Sequence, residues 1–124
     1  VSFKNGLAIS YEKLGSTHSN LGNLPQALNL FEQYNQLSKE LHEAYPENVD
    51  FQANFAESLA VLFALKKCMG LAAEPSDLDR ALRLFEELHS QVQTPHYQRK
   101  VTLCEQMYTP DVDLLRLISE MSSF

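Results

Sequence analysis

Apolar residues recur along this chain at alternating steps of four and three, the spacing that lines one face of an α-helix. Leu7, Tyr11, Leu14, His18 and Leu21 form one such stripe, predicted to be buried, and Ala27, Leu30, Tyr34, Leu37 and Leu41 form the next. Between them Gly22 ends the first helix, Asn23 can accept from the free amides of the second, and Pro25 fits a first turn that needs no donor. This predicts a tight helical hairpin. Pro46 stops the second helix after Tyr45, and Asn48 caps a third that runs through Phe51, Phe55, Leu59 and Leu62. The Gly- and Pro-bearing stretch from Met69 to Pro75 reads as a connection. Ser76 with Asp79 resembles a capping box and opens a fourth helix that buries Leu78, Ala81, Leu82, Phe85 and Leu88 and ends near Val92. Thr94 before Pro95 and Thr109 before Pro110 start two shorter helices, one with Tyr97, Val101, Cys104 and Tyr108, the other with Leu114, Leu117, Ile118 and Met121. The expectation is an all-α chain of six helices without strands.

The pattern also repeats. Val1 to Leu14 recurs from Val49 to Leu62, an offset of 48, with Val1/Val49, Phe3/Phe51, Ala8/Ala56, Ser10/Ser58 and Leu14/Leu62 identical. Leu24, Ala27, Leu28, Leu30, Phe31 and Glu32 recur at an offset of 54 as Leu78, Ala81, Leu82, Leu84, Phe85 and Glu86, so the extra residues belong to the connection after the third helix. Each unit is two helices and a turn. The division expected within a single domain is 1–46, 47–93 with a longer inter-helix loop, and a degenerate capping section 94–124.

At the first hairpin, Tyr11, Leu14, Gly15, Gly22, Ala27 and Phe31 follow the spacing of large, small and aromatic residues of the tetratricopeptide repeat, which the chain resembles. The small residues have a physical purpose, since a bulky side chain at Gly15 or Ala27 would force the crossing helices apart. The second unit departs from the pattern: Phe63 stands where Gly15 stood, the turn is longer, and no glycine serves as Gly22 does in a short linker. The unit of 48 also exceeds the roughly 34 residues usual for the family, as in its extended-helix variants. The resemblance implies a right-handed superhelix of antiparallel hairpins, whose first helices line a concave, peptide-holding face. On that face would lie Ile9, Glu12, Lys13, Ser16, Ser19 and Asn20 from the first unit, and Glu57, Ala60, Val61, Ala64 and Lys67 from the second. Glu12 and Ser16 replace the Lys and Asn with which some relatives clamp a terminal carboxylate, which disfavours that class of adaptor.

A net charge of -6, with basic residues no more clustered than Lys66–Lys67 and Arg99–Lys100, argues against a nucleic-acid footprint. The apolar run from Ser58 to Leu65 is far short of the roughly 20 residues of a membrane span. The start at Val1, with neither an initiator methionine nor a leader, reads as that of an excised fragment. Cys68 and Cys104 lie in different helices and fit reduced thiols of a cytoplasmic protein better than a disulfide framework. His18, His42, His89 and His96 offer no pair at metal-ligand spacing, and no Gly-rich phosphate loop is present. The chain is therefore expected to be a non-enzymatic interaction scaffold with no catalytic residues, metal or cofactor, holding a protein or peptide partner. The alternative is the terminal section of a longer solenoid, whose exposed end helices pack on a preceding unit or associate weakly with a copy.

Overall fold

The computed structural model describes residues 2–122, with Ser2 described by its backbone alone. The Val1/Val49 match and the last two residues of the capping section lie outside the described residues. Six helices follow in order: α1 (Ser2–Asn20), α2 (Leu24–Ala44), α3 (Val49–Cys68), α4 (Pro75–Gln91), α5 (Pro95–Gln106) and α6 (Leu114–Ser122). No strand occurs among the described residues.

The first helix of each unit ends in the same way, and a glycine in the left-handed region makes this possible. Gly22, at φ 82°, lets the Asn23 amide reach the His18 carbonyl at 2.8 Å and its own amide reach Ser19 at 3.1 Å. Gly70, at φ 71°, does likewise, with Leu71 donating to Lys66 at 2.8 Å and Gly70 to Lys67 at 3.2 Å. This corrects the expectation that the second unit has no counterpart of Gly22. Gly70 is that counterpart at the offset of 48, and the extra residues follow it instead of replacing it.

The caps divide between agreement and correction. Asn48 accepts from the Phe51 amide at 3.0 Å, as its side chain predicts. Asn23 makes no side-chain cap bond, because the glycine turn already satisfies the end of α1 while Pro25 removes a donor from α2. The fourth helix starts at Pro75 behind Glu74, ahead of the expected Ser76 box. Thr94 precedes α5 without a side-chain cap bond. The sixth helix begins at Leu114, not at Pro110: the chain first turns through Asp111 at φ 62°, and the Asp113 carboxylate takes the Arg116 amide at 3.2 Å. Tyr108 falls beyond α5, where its hydroxyl donates to the Asp79 carboxylate.

Successive helices pack as antiparallel neighbours, α1 on α2, α2 on α3, α3 on α4 and α4 on α5. The last helix breaks the series by turning back onto α3 and α1, touching α5 less. Leu117, Ile118 and Met121 bury the apolar face of α6. Surrounded by α2, α4 and α6, α3 is apolar nearly all round, as a fully enclosed helix must be. Phe63 is accommodated in the core, with Lys67 Nζ 5.4 Å from its ring centroid.

At the first crossing, Gly15 abuts Phe31, whose ring is completely buried. Ala8, Gly15 and Ser19 are the buried positions of α1, small enough for its neighbours to approach closely. The large stripe expected to be buried there faces outward instead: Leu14 is 50% exposed and Leu21 70%, Leu7 is exposed, and Tyr11 and His18 are half-buried. The His18 ring nitrogen lies 3.4 Å from the Asn23 side-chain amide.

Candidate functional site

The expected concave face divides in two. In the first unit Ile9, Lys13 and Asn20 are exposed and Glu12 and Ser16 half-buried, but Ser19 is buried. In the second unit only Lys67 is exposed; Glu57, Ala60, Val61 and Ala64 are enclosed. Ser19, Ala60, Val61 and Ala64 therefore do not line an open groove, whereas Ile9 and Glu57 border one cleft. The physical reason is the return of α6, which lies across α1 and α3 and adds a third neighbour to α3 beside α2 and α4.

Enclosure brings titratable groups together from four helices. Tyr34 of α2 donates its hydroxyl to Glu57 Oε2 of α3 at 3.1 Å. Ser16 donates to Glu12 Oε2 at 3.1 Å, and the Glu12 and Glu57 carboxyl groups are near enough to influence one another's charge. Burial, opposed by Lys100 and reinforced by the neighbouring Glu12, pushes Glu57 up to about 8. Glu12, less enclosed, is raised by burial and drawn back by its hydrogen bonds. Lys100 of α5 is buried, which lowers it from the usual ammonium range, while Glu57 and Glu12 pull the other way. Its Nζ donates to the Met121 carbonyl, placing a cation at the C-terminal end of α6. A cleft of about 270 Å³ opens beside this centre, bordered by Asn5, Asp50, Glu57, His96 and Lys100.

Sequence reasoning missed this centre, although half of its signal was legible. Lys100 lies between Tyr97, Val101 and Cys104 on the buried face of α5. Glu57 gave less warning, because its counterpart in the first unit is the exposed Ile9. The free thiols behave as core residues: Cys104 is fully buried and pushed up to about 12 by that burial, and Cys68 is raised for the same reason. No group of three or more His, Cys, Asp or Glu able to hold a metal ion occurs among the described residues, and no described helix is long and apolar enough to cross a membrane.

Burial of Glu57 carries a stability consequence with a definite sign. Its folded value of about 8 lies above the ordinary 4.5, so its contribution is fully present below the ordinary value and is lost as pH rises through about 8. Each unit of pH across that window removes up to roughly 1.4 kcal/mol. Glu57→Gln keeps an acceptor for Tyr34 and should flatten this dependence. Denaturant titrations at both ends of the window check this, and equal pH slopes for variant and parent contradict it.

The second feature is the outward stripe of α1. Phe3 is 84% exposed, and with Leu7, Leu14 and Leu21 it forms an apolar row along the helix. The repeat-equivalent residues of α3, Phe51, Phe55 and Leu62, are buried. There the α2 face meets them: the Tyr45 and Phe51 rings lie edge-on at 5.8 Å, and His42 stacks on Phe55 at 5.6 Å. The Asn35 amide donates to Ser58 Oγ at 2.9 Å. One residue pattern thus has two environments, one covered and one open.

No protein-family model matches the chain, and neither does any curated protein or solved structure. The class that the fold itself defines is an all-α protein built on helical hairpins.

Proposed function

We propose that this chain is a non-enzymatic interaction scaffold that holds a polypeptide partner on the open side of α1. The observation that carries the reading is the contrast between the exposed row Phe3, Leu7 and Leu14 and its buried counterparts on α3. Contiguous exposed apolar surface of this kind is a mark of contact sites. The converging titratable groups support the same reading, because the Tyr34–Glu57 and Lys100–Met121 hydrogen bonds join helices. In the tetratricopeptide-like proteins the first hairpin resembles, the first helices hold peptide. Here the inner side of α1 and α3 is occupied by α6, which leaves the outer stripe of α1 for a partner.

Site-specific photo-crosslinking in cells tests the reading. A photoreactive residue at Leu14 should give discrete protein adducts, whereas one at exposed Gln98 of α5 should give none. Equal adduct patterns at the two positions would sink the proposal. The same stripe supports a second reading, packing of α1 on a further helical unit or on a copy of the chain. Sedimentation distinguishes self-association, which would yield dimers lost on Leu14→Asp.

A further inference from the structure

Resting on the reading of α1 as a contact face, we infer the chemistry of its occupant: a helix of a partner polypeptide that carries the α2 face, with an asparagine and, seven and ten residues later, two aromatic or imidazole rings. The argument runs through the internal repeat. In the covered copy, Asn35 and His42 of α2 and Tyr45 just beyond its end engage Ser58, Phe55 and Phe51 of α3. The residues at the same offset on α1 are Ser10, Leu7 and Phe3, two of them identical to their counterparts.

The serine is the most informative of the three. Ser58 Oγ donates to the Phe55 carbonyl at 2.7 Å and accepts from the Asn35 amide at 2.9 Å. Ser10 Oγ donates to the Gly6 carbonyl at 3.0 Å, so its proton is committed in the same sense and its lone pairs face a donor from outside. A hydroxyl has one donor and two acceptor sites, and an asparagine amide is the complement already used in this fold. Phe3 then takes a ring edge, as Phe51 does from Tyr45, and Leu7 lies under a flat ring, as Phe55 lies under His42.

A second copy of the chain has no such face to offer. Its α2 is covered by α3, and the corresponding side of the second hairpin, α4, is covered by α5. A second copy is thereby excluded, and a helix carrying those groups is bound by the helix-in-groove mode in which ring and amide anchors recur on one helix face.

The probe is a synthetic peptide of residues 23–46, stapled between the exposed Glu32 and Gln36 because an isolated helix of this length is marginal in water. Titrated into the full chain, it should bind, and Leu7→Asp in the chain should weaken it by about tenfold or more. Asn35→Ala with His42→Ala in the peptide should weaken it similarly. Leu14→Asp serves as a second variant, and circular dichroism verifies that both variants fold. Absence of binding, or binding indifferent to both stripe variants, overturns the inference. So does a dimer of the chain alone that Leu7→Asp dissociates, since the occupant would then be a second copy. If the peptide fails while Leu14 still gives discrete crosslinks in cells, the contact face stands and only its assigned occupant falls.

Discussion

Replacing Gly15 with leucine should lower the stability of the chain by about 2–4 kcal/mol, the largest single-residue effect expected outside α6. A Cβ added to Gly15 alone would lie 2.8 Å from two carbons of the Phe31 ring, inside the distance that real Cβ atoms keep. The ring has nowhere to retreat: it is completely buried and packs edge-on against Tyr34 with centroids 6.1 Å apart. Tyr34 is in turn held by its bond to Glu57. A larger residue at Gly15 therefore pushes on the Phe31–Tyr34 pair and on the junction of α2 with α3. For a chain of this size the loss corresponds to a fall in melting temperature of roughly 3–5 °C per kcal/mol. Differential scanning calorimetry reads it directly, and an unchanged melting temperature would mean that α1 and α2 do not cross at Gly15.

Ile118→Asp should undock α6, at a cost of about 3–5 kcal/mol. Ile118, Leu117 and Met121 are fully buried against the inner side of the hairpins, and each contributes roughly 1.5–3 kcal/mol by leaving water. A carboxylate at that position would have to be buried without a partner, so undocking is the cheaper response. A helix this short does not persist alone, and amides of residues 114–122 should then exchange at the rate of unfolded chain while those of α3 stay protected. Retained protection across α6 would contradict the packing described for it.

The hairpins were legible because their determinants are local. Asn48 as a cap and Gly22 as a stop depend only on near neighbours in sequence, and each has its place in the fold. The start of α6 is misplaced because Thr109 and Pro110 look like a helix start and compete with Asp113, the capping residue directly before Leu114. Periodicity on α1 showed that a face exists but not which neighbour it meets. The buried side belongs to Ala8, Gly15 and Ser19, whose small size makes them nearly silent in a hydrophobic pattern. The enclosure of Ala60, Val61 and Ala64 depends on a helix more than fifty positions away turning back on the chain, and no local signal encodes that. The surroundings of Glu57 were hidden for the same reason, since they exist only once α1, α2, α3 and α5 have met.

Thiol labelling at two equivalent positions tests the account most directly. With Cys68 and Cys104 replaced by serine and alanine, Leu14→Cys and Leu62→Cys are compared in the native chain. The account predicts that a thiol at position 14 reacts nearly as fast as in unfolded chain. At position 62 it should be protected by about a hundredfold or more, reacting only through opening of the fold. Similar protection at both positions would mean that the stripe on α1 is already covered, and the contact surface proposed for it would not exist.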